Sequence, residues 1–186
     1  GNVPINEHID RMLLAGIDFV AAYIDIDNFK PFNDNFGYRR GDDVIQMLGR
    51  LIGEVVETRQ DFVGHIGGDD FFVVFQSPDW EMRCWQLVSA FTERIDALIG
   101  PDDPGRQGYL AENRRGEMVF HALPTLSVGA VRIKSGSFES HREVAAAASV
   151  AKKQAKKRAR EPGTPGGGNV FVERRGAAEL AANQLN

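Results

Sequence analysis

Apolar positions along the chain fall into alternating strand-like and helix-like stretches. The stretch from about Phe19 to Asp25 reads as a buried strand, after which the sequence turns polar. A short helical turn is expected over Phe29 to Phe36, then a longer helix from about Asp42. There Val44, Leu48, Leu51 and Val55 recur at i, i+4, i+7 and i+11, which marks one buried face. Two apolar stretches follow, Asp61 to Ile66 and Phe72 to Phe75, joined by Gly67-Gly68-Asp69-Asp70-Phe71, whose glycines and acids are the composition of a tight hairpin turn. From Trp80 to Ile99 the spacing again predicts an amphipathic helix, with Cys84, Leu87, Val88, Phe91, Ile95 and Leu98 facing inward.

Gly100 to Arg106 is rich in turn residues and reads as a loop. Tyr109 to Phe120 reads as a hairpin turning near Asn113 to Gly116, so the stretch 100–122 is taken as an insertion or extended hairpin. Leu126 to Ile133 is expected as a central strand, Arg142 to Arg160 as a helix, and Glu161 to Gly168 as a loop before a last strand, Asn169 to Glu173. The Ala-rich tail, 174–186, is left open between helix and frayed end. The β-α-α-β-β-α-β order predicts an α/β (α+β) domain of ferredoxin-like or palm type, a sheet carrying its helices on one side. A single domain over 1–186, with its core at about 9–173, is the expected organisation.

Composition agrees with an enzyme-like domain. At 186 residues and 42% hydrophobic, the chain can bury a core without disulfides or metal staples. The 22 basic and 26 acidic residues leave a net charge of −4, which speaks against coating nucleic acid. The single cysteine, Cys84, allows no internal disulfide and sits in a helical apolar pattern. No run is long and apolar enough to span a membrane and no signal peptide is visible, so a cytoplasmic location is expected. The segment is read as part of a longer multidomain protein, in whose remainder any membrane anchor would lie.

The chemistry concentrates in acids. Strand periodicity puts Asp25 and Asp27 on one face at a strand end, and Asp69 and Asp70 stand at the hairpin tip. Buried carboxylates must pair, cap or bind a cation. If the two strands are neighbours, the acids converge into an oxygen-ligand site suited to Mg²⁺ or Mn²⁺, with substrate phosphates completing the shell. Such a site favours phosphoryl or nucleotidyl transfer. Gly67 and Gly68 keep side chains away from the turn, so a large ligand can approach it. Lys152 and Lys156, four residues apart, project from one side of their helix at the border of its Val144, Ala148, Ala151, Ala155 stripe. Read alone, they are a solvated basic face, Asp42 is a helix N-cap after Gly41, and Asn33 is a turn former. The histidines show no metal-ligand spacing.

Asp25-Ile26-Asp27-Asn28-Phe29-Lys30, Asn33-Asp34, Gly37, Gly41-Asp42 and Gly67-Gly68-Asp69-Asp70-Phe71, in this order and spacing, resemble the GGDEF domain of bacterial diguanylate cyclases. Ser127-Val128-Gly129 matches the short Ser-Ile-Gly signature of that family, and the resemblance runs from about Ile9 to Val172. It implies a palm-like fold similar to class III nucleotidyl cyclases, and condensation of two GTP into cyclic di-GMP. It further implies that Asp25, Asp69 and the backbone carbonyl of Ile26 bind Mg²⁺, with Asp70 completing the acidic cluster. Lys30, Lys152 and Lys156 would contact the phosphates beside Gly67 and Gly68. Asn33 and Asp42 would hold guanine, whose Watson–Crick edge their polar groups complement. Each domain would bind one GTP, so a second GGDEF domain is the implied partner, along with a linked sensory or phosphodiesterase domain.

The sequence departs from the family pattern at several places. Asp70 stands where Glu is usual and is one methylene shorter. This leaves open an active cyclase and a non-catalytic GTP-binding module that regulates a linked domain. His65 replaces a common Arg, and Tyr38 a common His. The product-inhibition motif Arg-x-x-Asp is replaced by Thr58-Arg59-Gln60-Asp61, so no inhibitory site is expected there.

Overall fold

The computed structural model describes residues 2–99, 107–161, 168–176, 179, 180 and 182. The expected loop at Gly100 to Arg106, all of the expected loop before the last strand except Glu161 and Gly168, and most of the tail lie outside these residues.

Five strands form the central sheet: β1 (Phe19–Asp27), β2 (Phe62–Gly67), β3 (Asp70–Phe75), β6 (Thr125–Ile133) and β7 (Asn169–Glu173), in the order β2-β3-β1-β6-β7. Strands β4 (Gly108–Glu112) and β5 (Met118–Ala122) form a separate hairpin. All pairs are antiparallel except β6 and β7, which run parallel and are linked through a helix, α5 (His141–Ala159). The antiparallel-rich sheet and its helices match the expected palm-like fold.

Alternation along β1 divides the core. Val20, Ala22, Ile24 and Ile26 face helices α2 (Phe29–Phe36), α3 (Tyr38–Val55) and α4 (Trp80–Ile99). Phe19 and Ala21 face the other side, where helix α1 (Asn2–Leu14) and α5 bury Ile5, Ile9, Met12, Val144, Ala148 and Ala151. Helices therefore cover both faces, and the one-sided arrangement expected from element order is corrected. The unforeseen α1 accounts for much of that second layer. Its Ile5 lies against Gly64 of β2, where a Cβ would stand 2.9 Å from the Cβ of Ile5.

Two boundaries also differ. β1 extends through Asp27, because β6 pairs with it as far as Asp27↔Thr125. α3 begins at Tyr38, not Asp42: Gly37 at φ 84° turns the chain out of α2, and Tyr38, Arg39 and Arg40 supply an exposed first turn without apolar periodicity. Asp42 thus lies inside the helix and does not cap it.

Candidate active site

Register sets the site. β3 pairs with β1 as far as Ile24↔Phe71, which brings Asp70 beside Asp25, while Asp25 lies opposite Ser127 of β6. The two acidic segments thus occupy neighbouring strands, as their convergence required. Asp25 and Asp27 share the α5 face of β1 and are both nearly inaccessible.

Their surroundings separate them. Asp27 accepts hydrogen bonds from Ser127 Oγ at 2.8 Å and Thr125 Oγ1 at 3.0 Å. Burial raises its pKa, against the two hydroxyls, which lower it. These bonds make Asp27 a tie between β1 and β6. Asp25 instead meets α5: Lys156 Nζ stands 2.7 Å from its Oδ1 and Lys152 Nζ 3.0 Å from its Oδ2. Lys152 also reaches Asp70 Oδ1 at 3.3 Å and lies 3.9 Å over the ring of Tyr23. Burial works to lower the pKa of Lys152, but the carboxylate of Asp25, helped by Asp70 and Tyr23, outweighs it and holds the ammonium charged.

The hairpin tip completes the acidic group. Gly68, at φ 58°, takes a left-handed conformation that glycine adopts without strain. A Cβ at Gly67 or Gly68 would meet nothing within 4 Å, so the turn faces open space. His65 stacks on Phe71 with ring centroids 4.4 Å apart, and its Nε2 lies 2.9 Å from the Gly68 carbonyl, bracing the turn. Burial raises the pKa of Asp69; its own backbone amide opposes this, and the nearby Asp25 and Asp70 carboxylates add to the rise.

A cleft of about 390 Å³ runs from this tip to α2 and α3, lined by Lys30, Asn33, Asp34, Asp42, Gly68 and Asp69 among others. Asn33 and Asp42 meet there because α3 starts where α2 ends. Asn33 is packed so closely on Gly41 that a Cβ at Gly41 would overlap its amide oxygen. That Oδ1 is buried and has no hydrogen-bond partner among the described residues. Lys30 joins these residues along the cleft, whereas Lys152 and Lys156 engage the acids across the sheet.

Tyr23, Gly41 and Gly129 belong to the site's construction, although only the two glycines stood in recognisable motifs. Gly129 lets α5 rest directly on β6, since a Cβ there would overlap the backbone of Ala151 and Lys152. Among the described residues no three His, Cys, Asp or Glu side chains gather tightly enough to hold a metal ion by themselves. The donors at hand are carboxylates and backbone carbonyls, hard oxygens that suit Mg²⁺ with ligand phosphates sharing its coordination.

A palm-like sheet with acids at the end of its central strand and at the adjoining hairpin tip defines a nucleotidyl-cyclase-like domain. Residues 5–99 match the family described as diguanylate cyclase, GGDEF domain, and the chain belongs to that family. It is 43% identical over 72 residues to a diguanylate cyclase of Vibrio cholerae, covering 39% of this chain and 22% of that protein. It is 30% identical over 113 residues to the probable diguanylate cyclase DgcT of Escherichia coli, covering 61% of this chain and again 22% of the relative. The chain thus spans only about a fifth of the length of these relatives.

Among solved structures, the GGDEF domain of TpbB (YfiN) from Pseudomonas aeruginosa superposes with a TM-score of 0.67 at 18% identity, covering 98% of this chain and 93% of that one. The GGDEF domain of DgcB from Caulobacter crescentus, solved in complex with c-di-GMP, gives 0.63 at 22% identity over 94% of this chain and 88% of that one. Both similarities establish the fold. No helix among the described residues is long and apolar enough to cross a membrane.

Proposed function

We propose that this domain is a diguanylate cyclase that condenses two GTP into cyclic di-GMP and releases two pyrophosphates, with Mg²⁺ or Mn²⁺ as cofactor. The observation that carries this reading is the single cleft joining Asn33 and Asp42 to Gly68 and Asp69 at the edge of the acidic cluster. Asn33 presents a buried amide oxygen that lacks a partner, and Asp42 offers an acceptor for the N–H groups of guanine. Lys30 and the open Gly67-Gly68 backbone receive the phosphates, and Lys152 and Lys156 neutralise them from α5.

Asp25, Asp69 and the Ile26 carbonyl would hold the metal, which when bound supplies charge stabilisation at the phosphate oxygens and the attacking oxygen. Asp70 would complete the acidic cluster near the 3′-hydroxyl or a second metal. One domain orients one GTP. The 3′-hydroxyl of that GTP must lie in line with the α-phosphate of a GTP held by a second domain, so catalysis requires a pair of domains.

The test is chromatographic detection of cyclic di-GMP after incubating the protein, fused to a dimerisation element, with GTP and Mg²⁺, in parallel with Asp69→Ala and Asp70→Glu. Product is expected from the parent, none from Asp69→Ala, and more from Asp70→Glu, which restores the longer acid usual in the family. A dimerised protein that binds GTP and forms no product, with Asp70→Glu also silent, would overturn the reading.

A further inference from the structure

Three ion pairs tie one face of α5 to the acids of the sheet. Lys156 to Asp25, Lys152 to Asp25 and Lys152 to Asp70 measure 2.7, 3.0 and 3.3 Å. Asp25 and Lys152 are the sheltered members, with side chains 10% and 15% exposed, while Lys156 at 27% and Asp70 at 31% lie toward the rim. Each oxygen of Asp25 carries an ammonium group and Asp70 shares one of the two, so in the ligand-free cluster these two carboxylates are already paired and attract a divalent ion less strongly than bare acids would. Both oxygens of Asp25, the carboxylate such an ion would need, are thus taken.

We infer that Lys152 and Lys156 form a latch over Asp25 and Asp70, withdrawn when a nucleoside triphosphate binds, so that nucleotide and divalent cation bind with positive cooperativity. The inference rests on the proposed reading of the cleft as a GTP and Mg²⁺ site. A lysine is a compact charge on a flexible four-carbon stem, free to swing between acceptors without moving its helix. A triphosphate beside α5 offers both ammonium groups a greater negative charge than the two carboxylates do. Once they transfer, Asp25 is left sheltered and uncompensated, with Asp70 beside it at the rim, a costly state that a divalent cation relieves. By linkage the cation must tighten nucleotide binding by the same factor. Lys152 and Lys156 sit one helical turn apart, so one ligand draws both, while Tyr23 gives Lys152 its resting place between the carboxylates.

The experiment is a Mn²⁺ titration followed by electron paramagnetic resonance, without nucleotide and with a non-hydrolysable GTP analogue. Wild type is expected to bind free Mn²⁺ weakly and to gain roughly tenfold in affinity with the analogue, within the usual range of coupling. Lys156→Gln, on the rim of the cluster, is expected to bind free Mn²⁺ several-fold tighter than wild type and to show a smaller gain. Equal or weaker binding of free Mn²⁺ by the variant overturns the latch. A second reading in the unaltered protein guards against misfolding: saturating Mn²⁺ alone is expected to increase reductive methylation of Lys152 and Lys156, and unchanged labelling refutes the inference. Failure to bind the GTP analogue at all would instead count against the proposed function, since both Mn²⁺-only measurements still report on the latch.

Discussion

Gly129 of β6 carries the backbone of Lys152 directly upon it, with no room for a side chain between them. That contact fixes how far the lysine reaches across the sheet, because α5 can lie close enough to bring Nζ between Asp25 and Asp70 only where the strand has no Cβ. An alanine at Gly129 must lift the helix. Overpacking of this kind costs about 1–3 kcal/mol, so Gly129→Ala is expected to lower the urea midpoint by a corresponding amount. It should also reduce cyclic di-GMP synthesis more than an equally destabilising change in the α3 and α4 core, such as Leu87→Ala. Equal activity of the two variants at matched stability would show that the height of α5 does not matter to the site.

Gly41 plays the matching part in the cleft itself. A methyl group there collides with the amide of Asn33, which lies against the first turn of α3. Gly41→Ala is therefore expected to weaken GTP binding by about tenfold, or 1.4 kcal/mol, while leaving ATP binding and thermal stability nearly unchanged. Calorimetric titration with both nucleotides checks this. Equal losses for GTP and ATP would mean that Asn33 does not read the base.

Much of this construction could be read from the sequence, and the exceptions have physical causes. β1, α2, α4, α5 and the Gly67-Gly68 hairpin were legible because their periodicity or turn chemistry is local. Helix α1 was not, since its buried Ile5, Ile9 and Met12 make a sparse stripe among polar neighbours, and the surface that covers them comes from strands far along the chain. Asp25 and Asp27 look equivalent in sequence. Only the register with β6 places Ser127 and Thr125 on Asp27 and leaves Asp25 to the lysines, and register is a property of strand pairing. Gly41 and Gly129 were recognisable as motif members, but what each glycine makes room for lies across a tertiary contact.

Asp61 occupies the acidic end of the altered inhibition motif, and the fold already uses both of its oxygens. Oδ1 accepts from the backbone amides of Gln76 and Ser77 at 2.9 and 3.0 Å, and Oδ2 from Glu57 N and Ser77 Oγ at 2.8 and 3.0 Å. The carboxylate thereby ties the end of α3 and the entry to β2 to the exit of β3. Asp61→Ala leaves several donors unmatched at about 1–3 kcal/mol for a buried one, so a loss of roughly 2–4 kcal/mol in chemical denaturation is expected. With Asp61 so engaged and Thr58 in place of Arg, added cyclic di-GMP is expected to leave the rate of the parent protein unchanged at micromolar concentrations. Strong inhibition in that range would show that a ligand can displace these bonds.

Cys84, in the second turn of α4 and 1% exposed, offers a test of the core through pH. Burial pushes its thiol up to about 12 from an ordinary value of 9.0. The native state therefore keeps a proton that the unfolded chain releases. Well below pH 9 the thiol has no influence on the pH dependence of stability; as pH rises through 9 toward about 12 ionisation favours the unfolded chain increasingly, by up to about 1.4 kcal/mol per pH unit. At pH 7.5 Cys84→Ala is expected to be less stable than wild type, because it removes a packed sulfur and leaves a small void. At pH 10.5 that deficit should shrink or reverse, since alanine has no proton to lose. Urea unfolding of both proteins at the two pH values measures the difference of differences, in which the other titrating groups cancel. A deficit that stays constant would mean that the thiol ionises as readily in the folded protein as in the unfolded chain, and that solvent reaches the face of α4 that packs against the sheet.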